Sequence, residues 1–525
     1  MTKETKRWLM AAWLGLIVSF AAAHAWNLRA DFPNGSPWIA DWAKYTDEGW
    51  YGNAATRAHL FGNWYMAGDF NPAVAVPVWP FVEWVLYFFT GVTPEAARGL
   101  AVAAFVVNLG LNYLLLRKAG PRWMALLGLT LLATSPFLYC FSRLAILEPL
   151  QGTFALAGLN LAVRLGGMKR PAWAAAAVGG LFTLMMLTKT TAIFLLPAMG
   201  WAIAAAVWPR RRIAVRCLAA AAATFGATYG LWMTMIAELG LWPEFKYLFA
   251  VNNYPRPPEF YWPAVSFWWS LHGTMWVDRV LVPVAGLIVV GALARWRSGW
   301  AQGLWRQPVF GASVLGVAGM VLFMAYQNHP QPRYFSAAAV FCFLIVALGL
   351  RALLEAETGS QRSAGWAALA VVALAVLVNA DRVAGYALHP QYTYVRAADA
   401  LVRYIDAHPN GKRLLLSISG DQISLFTHLP SICDDFGTMD LPRKIGLYEP
   451  GWYAAWNDLD PGTLEDLHTH YSIEQVAEFP ALDHPERNLL VLFKLHPLAG
   501  GRVRDPDEED MKGPLPDDSF DVPIE

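Results

Sequence analysis

The chain has 525 residues, of which 56% are hydrophobic and only 15% charged, and its mean hydropathy is +0.34. This balance excludes a soluble enzyme built around one large core and indicates a polytopic α-helical membrane protein. Forty basic and forty acidic residues cancel, so no global charge favours nucleic acid, and the basic residues matter by where they fall.

The first element expected is a span over 8–26, preceded by Lys3, Lys6 and Arg7. The positive-inside rule therefore puts the N-terminus in the cytoplasm. Ala21-Ala22-Ala23 resembles a signal-peptide cleavage region, but the run is longer than an h-region and further spans follow, so it is read as retained. Between this span and the next, 74–90 is apolar and aromatic but broken by Pro77 and Pro80. It is expected as a helix lying along the interface, where Trp79, Trp84 and Tyr87 are at home. The later stretches long enough to cross about 30 Å of hydrocarbon are 96–116, 123–141, 148–165, 172–187, 190–208, 213–237, 279–294, 308–326, 334–351 and 364–380, about eleven spans in all.

Loop charge supports that count. Arg117 to Arg122, Arg164 to Arg170, Arg210 to Arg216, Arg295 to Arg306 and Arg351 to Arg362 all fall on the side of the N-terminus. The opposite loops carry Asp47-Glu48, Arg143 to Glu148, Lys189, the aromatic segment from Glu238 to Asp278, and His329 to Tyr334. Trp242 to Trp276 is expected to be interfacial as well. Cys140, Cys217, Cys342 and Cys433 lack the spacing of a zinc site, and three lie in apolar runs, so they read as small core residues.

Beyond Asp381 the composition turns polar, with a helix expected at 394–408, a strand at 413–419, a helix at 464–470 and a strand at 489–495. The expected plan is a transmembrane module over 1–381, whose external loop 27–95 holds Asp47-Glu48, then a small extracytoplasmic α/β domain over 382–503. An acidic, proline-containing tail over 504–525 is expected to be disordered.

The stretch Asp47-Glu-Gly-Trp-Tyr-Gly-Asn-Ala-Ala55, then Gly62 to Gly68 and a proline-rich amphipathic segment, resembles the first external loop of polyprenyl-phosphate-dependent glycosyltransferases with the GT-C fold. These are of the protein O-mannosyltransferase and aminoarabinose-transferase type, glycosyltransferase family 39. Thr93-Pro-Glu-Ala-Ala-Arg98, Phe141-Ser-Arg-Leu-Ala-Ile-Leu-Glu148 and Leu187-Thr-Lys-Thr190 agree with it, over roughly residues 1–350. The resemblance implies a GT-C-like bundle in a bacterial inner membrane, with the small C-terminal domain periplasmic. It also implies a polyprenyl-phosphate sugar donor, an extracytoplasmic acceptor (protein, lipid A, polysaccharide or other glycolipid), and Asp47 as catalytic base. Glu148 departs from the family, which often has Asp at that place.

Phosphate is a good leaving group, so the enzyme must hold the donor phosphate and deprotonate the acceptor. A positioned carboxylate contributes roughly 10² to 10⁴ in rate. Asp47 would act on the acceptor and give direct, inverting displacement at C1. Glu48 would support its loop or bind acceptor. Lys189, Arg333 and Tyr334 are the candidates for the donor phosphate. Arg98, Arg143 and Glu148 are expected to support the site or bind acceptor, with Arg143 pairing with Glu148 or with Arg98 as the structural alternative.

Each has an ordinary competing role: Asp47 as a helix cap, Lys189 snorkelling to headgroups, Arg333-Tyr334 as an interfacial anchor. No cofactor is expected to be obligatory. Asp47, Glu48 and Glu148 could supply oxygen ligands to a divalent cation, whereas His59, His272 and His329 are read as plain polar residues. The competing functions are a transporter or lipid flippase, and a catalytically inactive GT-C-like subunit.

Overall fold

The computed structural model describes residues 2–251, 278–326 and 331–498. Most of the aromatic segment up to Trp276, His272, His329 and the acidic tail lie outside the described residues.

A helix occupies every one of the stretches read as spans. Eight helices among the described residues are long and apolar enough to cross a membrane, and ten are if two bent pairs are counted as one span each. The bent pairs are Arg122–Ala133 with Pro136–Ser142, at 63°, and Leu281–Ala294 with Gly299–Trp305, at 112°. Glu148–Ala162, with 15 residues, falls below the length needed for a crossing, so the eleven expected spans become eight to ten by length.

Local chemistry sets these boundaries. Thr93 caps Pro94–Ala119 by accepting from the Ala96 amide; Pro94 starts the helix, and Arg117 and Lys118 sit in its last turn, where the dipole favours cations. Ser135 caps Pro136–Ser142, and this second start at a proline is the physical cause of the 63° bend. Between Pro171–Thr188 and the 3₁₀ turn Thr190–Leu195, Lys189 alone is extended. That break turns its side chain out of the helical register at the end of the span.

The helix Val78–Thr90 has the two faces expected of an interfacial element. Phe81, Val85, Phe88 and Phe89 are exposed, while Trp79, Glu83 and Tyr87 are buried.

The C-terminal region is a five-stranded sheet: β1 (Lys412–Leu416), β2 (Ser431–Ile432), β3 (Pro450–Trp456), β4 (Tyr471–Pro480) and β5 (Leu489–Pro497), in the order β2-β1-β3-β5-β4. β1 runs parallel to β2 and β3, whereas β5 is antiparallel to both β3 and β4. The expected helices appear as Thr393–Ala407 and Pro461–His468, and the expected strands as β1 and β5. The sequence reading missed β2, β3, β4 and the helices Gly420–Thr427 and Leu441–Tyr448. β3 is buried along its whole length, so it lacks the apolar–polar alternation that marks a half-exposed strand.

Sheet faces alternate between two cores. Leu415, Trp452, Ala454, Leu490 and Leu492 pack with Tyr394 and Ile423 and with Trp50 and Phe70 of the loop that follows the first helix. Leu416, Tyr453, Val491 and Phe493 pack under Ile445 and Leu467 on the other side. The sheet is therefore seated directly on the loop that carries Asp47.

Candidate active site

Asp47 opens a four-residue helix, Asp47–Trp50, that is wholly buried. Its side chain does not cap that helix: Thr46 is the cap residue, and Asp47 Oδ1 accepts from the Thr46 hydroxyl at 3.1 Å. The other oxygen, Oδ2, meets Arg333 Nη2 at 2.5 Å. Asp47 is 1% exposed. Burial pushes its carboxyl up to about 6; Arg333 and Lys189 oppose the rise, and Asp41 and Glu148 add to it.

Arg333 lies on the 3₁₀ turn Pro332–Phe335, at the start of Ser336–Leu354, and is 3% exposed. It is not an interfacial anchor. Its backbone amide and Nη1 donate to the two oxygens of Asp41, at 2.8 and 2.6 Å, and its Nε lies 3.8 Å from Glu148 Oε1. Lys189, 5% exposed, does not snorkel either: its Nζ donates to Glu148 Oε1 and sits 4.5 Å from the centre of the Tyr334 ring. Arg333 stands over the same ring at 4.8 Å. Tyr51 lies close to the same charged groups. Its hydroxyl is held protonated by burial and by the fields of Asp47 and Tyr334.

The structure thus brings together Asp47, Glu148, Lys189, Arg333 and Tyr334 from four separate segments of the chain, and adds Asp41 and Tyr51. Asp41 was missed because nothing in Ala40-Asp41-Trp42 distinguishes it from any loop aspartate; it also bonds the Ala43 amide at 2.9 Å, an ordinary cap. The side chains supply anionic groups for a proton and cationic groups for an oxyanion within one buried cluster. Glu148 Oε2 is buried without a hydrogen-bond partner, as is Arg333 Nε. Each retains unused bonding capacity there.

Glu48 points elsewhere. Arg98 Nε and Nη2 donate to its two oxygens at 2.6 Å each, and the Ala145 amide donates to it at 3.0 Å. Arg98 Nη1 in turn binds the carbonyls of Leu28 and Ala30, both at 2.7 Å. This pair ties four loop segments together. Arg143 pairs with neither Glu148 nor Arg98: its Nη1 donates to the Tyr139 hydroxyl, and its Nη2 to the carbonyls of Trp26 and Asn27 at 2.7 and 2.6 Å. It anchors the C-terminal end of the first helix.

The C-terminal sheet region reaches the motif through Gly420–Thr427. Gln422 Nε2 donates to the Lys44 carbonyl at 2.9 Å, and Trp50 Nε1 donates to the Ile418 carbonyl at 3.1 Å. Asp421 accepts from Asn53 and from Arg57, both at 2.9 Å, and Arg57 also binds Asp69 at 2.6 Å. Gly49 is required here, since a Cβ on it would lie 2.1 Å from the Gln422 amide nitrogen.

The expected oxygen ligands do not converge as a set, because Glu48 is committed to Arg98 while Asp47 and Glu148 meet Arg333 and Lys189. Among the described residues no group of three or more His, Cys, Asp or Glu is placed to hold a metal ion. His59 bonds the Trp84 carbonyl at 3.0 Å and packs among aromatic rings.

No protein-family profile and no curated protein matches the sequence. The solved structures do. ArnT from Cupriavidus metallidurans, an aminoarabinose transferase, superposes in its apo state with a TM-score of 0.59 at 13% identity, over 92% of this chain and 98% of that one. The same protein bound to undecaprenyl phosphate gives 0.55 at 14% identity, over 92% and 98%. The fold is that of the GT-C glycosyltransferases. A second GT-C protein agrees: the oligosaccharyltransferase AglB from Archaeoglobus fulgidus, in complex with an inhibitory peptide and a dolichol-phosphate, gives 0.51 at 12% identity, over 96% of this chain and 76% of that one. The loop after the first helix lies between the helical bundle and the C-terminal sheet, where Asp47 and its neighbours are found.

Proposed function

We propose that this chain is a membrane glycosyltransferase that moves a sugar from a polyprenyl-phosphate donor to an acceptor on the non-cytoplasmic face, with Asp47 as the base. The observation that carries this is the buried ion pair of Asp47 with Arg333, with the Lys189–Glu148 pair in the same cluster. A carboxyl near pH 6 can release its proton at neutral pH and accept another, and the two cations beside it suit a departing phosphate. Support for the donor class comes from the fold shared with two proteins seen bound to undecaprenyl phosphate and dolichol-phosphate.

In this reading, the donor phosphate takes the place of Glu148 on Lys189 and of Asp47 on Arg333. Asp47 is then free to accept the acceptor's proton as the acceptor oxygen or nitrogen bonds to C1. The C1–O bond to phosphate breaks, and its electron pair leaves on the phosphate. Displacement on the face opposite the leaving group inverts the anomeric centre. Tyr334 holds Lys189 and Arg333 in place through its ring. Glu48, Arg98 and Arg143 shape the loops and touch neither reactant. The C-terminal region supports the motif and can contribute to acceptor binding. The module over 1–381 and the extracytoplasmic region over 382–503 would act as one enzyme in the inner membrane, with no obligatory metal.

The test uses purified protein in detergent. Binding of undecaprenyl phosphate is followed by tryptophan fluorescence, and transfer by movement of labelled sugar from lipid-linked donors into membrane-extract acceptors. Asp47→Asn should lose transfer and keep binding; Lys189→Ala and Arg333→Ala should weaken binding at least tenfold. Transfer that survives Asp47→Asn overturns the base assignment. Label crossing sealed vesicles with no new glycosidic bond would mean a transporter.

A further inference from the structure

A second polar cavity, of about 370 Å³, lies apart from the Asp47 cluster. Its walls come from the loop after the first helix (Asp31, Asn34), from Arg143, and from the outer end of Gly359–Leu388, with Asp381, Arg382 and Tyr386 and the adjoining His389. Its charges are unequally committed. Asp31 spends its oxygens on the amides of Tyr394 and Val395, at 2.8 and 3.3 Å, and on the Thr393 hydroxyl, at 3.1 Å. His389 uses Nδ1 on the Gly385 carbonyl at 3.1 Å, which leaves Nε2 free.

Arg382 is exposed and makes no hydrogen bond or ion pair among the described residues. Arg143 Nε is buried with no hydrogen-bond partner. Asp381, also exposed, is therefore the one uncommitted acid facing Arg143, Arg382 and His389.

The cavity's position says what can reach it. The two helices that frame it turn apolar side chains outward: Trp26 is 62% exposed at the end of the first, and Leu388 is 73% exposed at the end of the other, with Leu374 and Leu377 exposed below it. Such a surface belongs against acyl chains, with tryptophan at headgroup depth. A polar recess that opens there meets lipid headgroups before it meets solutes.

We propose that this cavity binds the phosphate headgroup of an anionic membrane lipid, held by Arg382, with the acyl chains running down the face of Leu388, Leu377 and Leu374. Arginine suits that role because its planar fork can give two parallel hydrogen bonds to phosphate oxygens. The site is independent of the sugar chemistry proposed above. It needs neither Asp47 nor Lys189, so the failure of one reading leaves the other standing.

The test is native mass spectrometry on the full chain released from detergent, titrated with phosphatidic acid, with diacylglycerol of the same chains, and with inorganic phosphate. Phosphatidic acid should occupy one site that Arg382→Ala weakens at least about tenfold and Arg382→Lys largely keeps; one charge-assisted bond accounts for that loss. Unchanged phosphatidic acid binding in Arg382→Ala overturns the proposal. Equal retention of diacylglycerol overturns the phosphate contact, and equal occupancy by inorganic phosphate overturns the lipid.

Discussion

Removing Arg98 should unseat the loop that holds Asp47, and the cost can be worked from its contacts. Arg98→Ala deletes two 2.6 Å bonds to Glu48 and two 2.7 Å bonds to the carbonyls of Leu28 and Ala30. It leaves the Glu48 carboxylate 1% exposed, facing only the Ala145 amide and Gln422. Breaking a buried pair from one side costs about 3 to 5 kcal/mol, because a charge stays behind without its partner. Glu48→Leu strands the guanidinium in the same way. The double variant Glu48→Leu/Arg98→Met removes both charges and fills the volume, so its loss should fall below the sum of the single losses by about 1 to 3 kcal/mol or more. Unfolding in detergent, followed by denaturant or heat for all four proteins, closes the cycle. Losses that add to within about 0.5 kcal/mol would refute the reasoning, since they would mean the two groups do not depend on each other. Transfer activity in the double variant would further show that Glu48 positions the loop.

Four other outcomes follow from buried residues. With Asp47 titrating near 6, transfer should rise with pH through that value and level off above about 7; a rate independent of pH between 5 and 7 would contradict Asp47 as the base. Its stability effect has the opposite sense. The folded-state value lies above the free carboxyl's 3.8, so this contribution is full below about pH 4 and lost as pH rises through 6; Asp47→Asn should therefore lose less stability between pH 4 and 7 than the native protein does. Glu83 sits fully buried beside Trp79 and Gly52, and burial raises its pKa, which favours the protonated form; Glu83→Gln should melt close to the native protein and Glu83→Lys far below it, and similar melting for the two would refute an enclosed carboxyl. Gly49→Ala drives a methyl into the Gln422 backbone, which should cost about 1 to 3 kcal/mol and lower transfer with it; an unchanged melting temperature would mean that Gly420–Thr427 does not press on the motif.

Much of the bundle was legible because span length is set by bilayer thickness and leaves long apolar runs in the chain. Two places depart from that reading for physical reasons. Glu148–Ala162 is too short, and proline at 136 restarts a helix inside one apolar run. The sheet was half legible. β1 and β5 stood out in a polar region, but β4 presents mixed polar residues and β3 is buried on both faces, so neither shows the clean alternation of a strand. Gly420–Thr427 was missed because eight residues between two strands carry little periodicity.

Glu148, Lys189, Arg333 and Tyr334 could be proposed from sequence because each is polar at the edge of an apolar run, where charge is costly, whereas Asp47 was singled out by the resemblance of its loop motif. The sequence by itself determined the membrane class, the approximate number of helices, and which polar groups share one side. Pairing was decided only by tertiary structure. Asp47 and Glu48 are adjacent in the chain, yet one faces Arg333 and the other Arg98, because successive side chains on a helix point about 100° apart. Asp41 joined the site, and the sheet came to rest on the motif, through contacts between residues hundreds of positions apart. No local pattern encodes such contacts, since they exist only once loops from separate helices are packed against one another.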